Sequence, residues 1–257
     1  MKNHYFLAPS LPALNVDEKP DITFKELMER LSLNLKKDEL EKVAVLRRLS
    51  DLYNIRALYL KQPLDWQGNL NEKELDEALL LQADLPDYVF EFLNQFEGTQ
   101  DKVRHFFGLI SRYYSEEIAT HKGFLKDLLI LQREMRLVLA ALRAKKAKRD
   151  IVKELQFEDF TDPIVAHILA QKDMDTYDPP YEYLDLKARI EACDDDPWLL
   201  NRAVLLYEYE KIEERAGYPL FSLNWILGYV ARFMLIEHLH ALDAEKGKEI
   251  VTHYKIG

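Results

Sequence analysis

A chain of 257 residues with 48% hydrophobic content can bury a sizeable core, which excludes disorder for most of its length. Its 45 acidic side chains outnumber 35 basic ones, and the formal charge of -10 opposes nonspecific attraction to nucleic acid unless a basic face is strongly segregated. The single cysteine, Cys193, excludes an intramolecular disulfide and a cysteine-based zinc site, and it fits a reducing, intracellular compartment.

The first apolar stretch, Tyr5 to Leu14, is broken by Pro9 and Pro12. It has no apolar h-region, so export by a signal peptide is not expected, and it is expected to lie extended against helices. Thr23 with Glu26 forms a capping-box signature ahead of Phe24, Leu27 and Leu31. A second helix runs from Leu40 to Leu60 and stops before Pro63 and Gly68. A short helix follows from Asn71 to Leu81, and Asp84-Leu85-Pro86 introduces another at Tyr88. After Gly98, apolar and aromatic residues recur at helical steps from Val103 to Ile118. Gly123 marks a turn, and the next helix is apolar until it becomes basic from Arg143 to Arg149, where positive charge suits a helix C-terminus. Asp162-Pro163 opens a further helix. The acidic, proline-bearing stretch from Asp173 to Asp196 reads as a connection, and Asp196-Pro197 reads as a cap with proline at the first helical position. The final helices carry Leu199 to Ile212 and Trp225 to Leu239, separated by Gly217-Tyr218-Pro219. The most apolar run, Leu220 to Ile236, contains Asn224, Gly228 and Arg232 and is read as a buried helix rather than a membrane span.

Only 8 glycines and 10 prolines punctuate the chain, which predicts an all-α fold with short turns. Within it, Ala141-Leu142-Arg143-Ala144-Lys145-Lys146-Ala147-Lys148 and Ala241-Leu242-Asp243-Ala244-Glu245-Lys246-Gly247-Lys248 spell nearly one phrase, each followed by an isoleucine-valine pair. Arg56-Ala57-Leu58-Tyr59-Leu60-Lys61 is a weaker echo. Three pseudo-repeated helical units are therefore expected within one continuous domain: residues 1–98 with the extended N-terminus, 99–180 and 181–257.

The candidate structural or partner contacts are Asn54, Arg56, Arg143, Lys145, Lys146, Lys148, Arg149 and Arg232. Asn54 and Arg56 are read first as polar anchors between helices and second as partner contacts. The lysine-arginine run is read first as a solvated helix end and second as a partner contact. Phe106, Phe107, Tyr113 and Tyr114 are read as core, and Glu208, Glu210, Glu213 and Glu214 as a solvated face. No G-x-x-x-x-G-K-[ST] sequence is present, so the chain lacks that phosphate cradle, and neither a catalytic residue nor a cofactor is expected. Glu237 and His240 share a helix face as a di-iron site requires. The residues three before His105, His121, His167 and His253 are Lys102, Ile118, Ile164 and Ile250, so no second such pair exists and no metal is expected.

Leu52-Tyr53-Asn54-Ile55-Arg56-Ala57-Leu58 resembles a phrase of the C/d family of archaeal and vacuolar-type ATPases, the adaptors between rotor ring and central stalk, and Leu227 to Arg232 resembles the start of that family's last long helix. The opening Tyr5-Phe6-Leu7-Ala8-Pro9-Ser10-Leu11-Pro12 is similar to a shorter bacterial family encoded among V-type ATPase subunits, as in chlamydiae. The resemblance implies a funnel of three helical units on the membrane rotor ring, receiving the central stalk. It implies a noncatalytic part in coupling ion transport, with the stalk and ring proteins as partners, at the cytoplasmic face of the membrane. The full Asn-x-Arg phrase stands only in the first unit; Val138-Leu139-Ala140 and His238-Leu239-His240 hold the later places. A soluble scaffold or assembly factor of the same complex is the alternative expectation, and a metalloenzyme using Glu237 and His240 the remote one.

Overall fold

The structure, a computed structural model, describes residues 4–217 and 219–241. Among these residues the chain forms twelve α-helices and no strand, so the expected all-α class holds. In chain order they are α1 (Phe24–Asn34), α2 (Lys37–Leu60), α3 (Glu72–Leu81), α4 (Asp87–Leu93), α5 (Thr99–Arg104), α6 (Phe106–Thr120), α7 (Phe124–Lys146), α8 (Ile151–Glu154), α9 (Pro163–Ala170), α10 (Leu184–Glu191), α11 (Pro197–Ala216) and α12 (Leu223–Ala241). The second copy of the repeated phrase, beyond Ala241, and its Ile250-Val251 pair lie outside the described residues.

Local chemistry sets most of these boundaries. Thr23 and Glu26 exchange the two bonds of a capping box at α1, and Asn71 and Glu74 do the same at α3. Asp150, Asp162 and Asp196 each accept backbone N–H bonds at the starts of α8, α9 and α11, and proline follows the last two caps. Gly123 has φ 61° ahead of α7, a conformation that disfavours any residue with a Cβ.

Two compact units are formed, one by the described residues of Met1–Leu40 and Tyr177–Gly257 and one by Glu41–Thr176, the division falling inside α2. In the first unit α12 packs against α11 and α1, with Phe24 and Phe233 6.4 Å apart. The N-terminal segment lies against this unit as expected: Leu7 and Leu11 are buried, and Tyr229 donates a 2.9 Å hydrogen bond to the Pro12 carbonyl. It is not wholly extended, because Ala8–Ser10 makes a 3-10 turn with Pro9 inside its first turn. The second unit buries Leu52, Ile55, Val89, Leu109, Ile110 and Leu129 in one core.

Two expectations need correction. The helix expected from Val103 to Ile118 is broken at His105, whose backbone (φ -95°, ψ 9°) leaves the helical region while its ring stacks 4.7 Å from Phe96. The acidic stretch from Asp173 to Asp196 is not only a connection, since it contains α10, and Leu186 there is fully buried. Ion pairs from Asp185 to Arg189 and from Lys187 to Glu191 brace α10 at i,i+4 spacing.

Candidate functional site

The end of α2 carries a buried polar clamp. Asn54 is 1% exposed, donates from Nδ2 to the Asp65 carbonyl at 2.9 Å, and accepts the Asp65 N–H at 2.7 Å. One turn earlier, Asp51 accepts from Asn69 Nδ2 at 2.6 Å and from the Leu70 N–H at 3.1 Å. Arg47 adds bonds to the carbonyls of Gln67 and Gly68. Three side chains on successive turns of α2 thus satisfy the backbone of the α2–α3 connection, where unpaired polar groups would be costly. Gly68 is required by close approach: a Cβ there would stand 2.7 Å from Asn54 Nδ2 and 2.8 Å from Asp51 Oδ1. Burial raises the Asp51 carboxyl above its ordinary range, and the bonds from Asn69 and Leu70 and the charge of Arg47 only partly offset the rise.

The repeated phrase has a physical meaning at two helix ends. At α2, the Gln62 N–H reaches back to the Ala57 carbonyl at 2.9 Å and the Lys61 N–H to Leu58 at 3.1 Å, with Lys61 at φ 55°. At α7, the Arg149 N–H reaches Ala144 at 2.8 Å and the Lys148 N–H reaches Lys145 at 3.1 Å, with Lys148 at φ 51°. Both are Schellman closures with lysine in the left-handed position that glycine usually takes. Arg56, Ala57 and Lys61 at the first closure match Arg143, Ala144 and Lys148 at the second in spacing and in place.

The basic run of α7 does not act as one solvated group. Lys145 extends Nζ to the carbonyls of Gln171 at 2.7 Å and Lys172 at 2.8 Å, and also to that of Met174, so it caps the chain leaving α9. Arg149 pairs with Glu154 at 2.9 Å, tying the end of α7 to α8. Arg143, Lys146 and Lys148 are exposed. Farther up α7, Arg133 and Arg136 share the buried carboxylate of Glu158, and Arg133 also bonds Asp162 at 2.8 Å.

Arg56 lies over the Phe106 ring at 5.8 Å, and Tyr53 packs 5.4 Å from the same ring. Burial pushes the Tyr53 hydroxyl up, and the guanidiniums of Arg136, Arg56 and Arg143 pull it part of the way back. Of the aromatic stripe read as core, Phe106, Tyr113 and Tyr114 are buried, but Phe107 is 52% exposed because it points off the packed face of α6.

A second polar cluster escaped the sequence reading. Glu117, only 4% exposed, takes Arg48, the Tyr88 hydroxyl at 3.0 Å and His121 Nε2 at 3.0 Å. Burial and the Glu117 charge drive the Tyr88 hydroxyl far above its ordinary range. The available signal was a glutamate on the apolar face of α6, four residues before a histidine. In the first unit, Arg232 is 8% exposed, pairs with Glu213 and lies 5.2 Å from the Tyr209 ring. Glu210 and Glu214 are likewise paired, with Arg189 and Lys211, so these three glutamates of α11 serve as ion-pair partners. His240 Nε2 contacts the Val16 carbonyl at 3.1 Å. Among the described residues no group of three or more His, Cys, Asp or Glu side chains is placed to hold a metal, and no helix is long and apolar enough to cross a membrane.

The fold and site define, among the described residues, an all-helical protein in which side chains of α2 and α7 lock a helix connection and the chain leaving a helix. The family described as "Protein of unknown function (DUF2764)" matches residues 1–257, and the chain belongs to that family. Its relatives include an uncharacterized protein of Chlamydia pneumoniae, 30% identical over 259 residues, covering 98% of this chain and 97% of the relative. Uncharacterized proteins of Chlamydia muridarum and Chlamydia trachomatis are 27% and 25% identical, each over 258 residues with the same coverage. No solved structure matches the chain.

Proposed function

We propose that this chain is a noncatalytic central-stalk or rotor-adaptor component of a V-type ATPase, which passes torque between the membrane rotor ring and the central stalk. The observation that carries the reading is the likeness of two phrases, Tyr5 to Pro12 and Leu52 to Leu58, to the C/d adaptor family and its short bacterial relatives. Three relatives from Chlamydia species, matched over nearly their whole length, agree with the group that the opening phrase resembles. The mechanics also suit the role. Leu52, Asn54 and Ile55 are at most 1% exposed, so the phrase is a fixed point of the second unit rather than a mobile tip. A torque-bearing part needs such rigid ends, since a locally unfolding element dissipates strain.

In this reading nucleotide chemistry belongs to other proteins of the complex, and membrane attachment comes through the complex at its cytoplasmic face. A three-unit, funnel-like arrangement is part of the same proposal. Deleting the gene tests it: ATP hydrolysis by the isolated catalytic head should persist while ion transport by native membranes is lost. Transport that stays coupled in the deletion strain would overturn the proposal.

A further inference from the structure

Two leucines at the end of α3, in the second unit, stand in water. Leu75 and Ala78 are buried, whereas Leu80 and Leu81 are 82% and 71% exposed. Asp76 and Glu77 precede them by one helical turn on the same outer face. From Asn71 to Asp87 the chain carries six carboxylates and one lysine, so this short stretch holds half of the formal charge of -10. Lys73 pairs with Glu77 at 3.6 Å, and Glu74 is used in the capping box of α3. Glu72, Asp76, Asp84 and Asp87 are exposed and have no cation in ion-pair range among the described residues. The backbone after the leucines is held in place: the Ala83 N–H reaches the Ala78 carbonyl at 3.1 Å, and Asn94 donates to Gln82 Oε1 at 3.3 Å.

We propose that Leu80 and Leu81, with Asp76, Glu77 and Asp84, form a docking surface for a basic, amphipathic helical segment of a partner protein. Its apolar side chains cover the leucines while its lysines or arginines pair with the carboxylates. Charge complementarity selects that occupant. Exposed leucines gain by burial against apolar side chains and offer nothing to a small ion. The carboxylates around them repel nucleic acid and anionic bilayers alike. A metal ion is no better a fit, since no group of three or more His, Cys, Asp or Glu side chains among the described residues is placed to hold one. A segment with apolar residues and cations at helical spacing meets both features at once. Because the chain after the leucines is already held by Ala78 and Asn94, little order has to be gained there on binding. This inference stands apart from the stalk reading, because it needs a basic partner and no particular complex.

The test uses the full chain with labelled helical peptides: a Lys/Leu peptide, a Gln/Leu counterpart without charge and a Lys/Gln counterpart without apolar residues. Fluorescence anisotropy should show saturable binding of the Lys/Leu peptide, about ten-fold weaker binding of either counterpart, and weakening as salt is raised. Leu80→Ser with Leu81→Ser should cost about ten-fold in affinity, and so should Asp76→Asn with Glu77→Gln and Asp84→Asn, with unchanged thermal melting. Should the leucine variant fail to fold, Asp76→Lys with Glu77→Lys supplies the check, since it should abolish Lys/Leu binding and gain binding of a Glu/Leu peptide. Asp173→Asn with Asp175→Asn removes two exposed carboxylates elsewhere in the second unit and should leave the affinity unchanged. Absence of saturable binding, affinity indifferent to the substitutions on α3, or an equal loss from the Asp173 and Asp175 pair would overturn the proposal. So would cosedimentation of the chain with phosphatidylcholine vesicles that depends on Leu80 and Leu81, since a lipid surface would then be the occupant.

Discussion

The ends of α2 and α7 close their backbones with the same pattern of hydrogen bonds, and then spend their side chains differently. At α2, buried Asp51 and Asn54 hold the connection that follows, through bonds to the Asp65 and Leu70 backbone. At α7, the half-buried Lys145 holds a more distant segment by its carbonyls, and Arg149 reaches Glu154. The difference follows from donor chemistry. A short amide or carboxylate inside the fold can satisfy N–H groups at close range, whereas a long lysine at a helix end carries charge outward to terminal carbonyls. A common helix ending thus supports two kinds of lock, one dry and one wet.

The dry lock should be the more costly to break. Gly68→Ala forces a Cβ against Asn54 and Asp51 and should lose about 3 kcal/mol, read as a lowered urea midpoint and faster amide exchange at Asp65 and Leu70. An unchanged midpoint would mean that the clamp yields without cost. Asn54→Ala strands one N–H and one carbonyl of Asp65 and should cost about 2 kcal/mol, with exchange accelerated at Asp65 before α7 is affected. The wet lock is weaker. Lys145→Met keeps the apolar stem, loses the bonds to the carbonyls after α9, and should cost about 1 kcal/mol. A loss larger than that of Asn54→Ala would reverse the comparison.

The smallest effect concerns pH. Because burial raises the Asp51 carboxyl, the folded chain binds this proton more tightly than the unfolded chain. Its stabilising contribution is therefore fully present below the ordinary carboxylate range and is lost as pH rises through the raised value. From about pH 7 down to about pH 4, urea midpoints of the native chain and of Asp51→Asn should shift apart in favour of the native chain. Parallel curves would show that the carboxyl titrates normally.

Local signals made much of the fold legible. The caps at Thr23 and Asp196 depend on residues within three positions, so spacing alone revealed them. The helix α10 was hidden because its charged residues read as a solvated linker, and of its apolar Leu184, Leu186 and Ile190 only Leu186 is buried. The break at His105 depends on ring stacking against Phe96, a contact outside the helix itself. For the site, Asn54 and Arg56 stood out by their phrase, but nothing in sequence said that Arg56 lies over the Phe106 ring of α6. Pairing of Arg48 with Glu117 spans 69 positions and rests on the fold of the second unit. Such long-range partners follow from packing, which no window of residues contains.

The most direct measurement is affinity purification of the tagged chain from native membranes, with the stoichiometry of every recovered protein. The stalk-adaptor account predicts V-type ATPase subunits recovered with this chain in a fixed proportion. Recovery without those subunits would contradict it, and substoichiometric recovery would replace a stable component with a transient assembly factor.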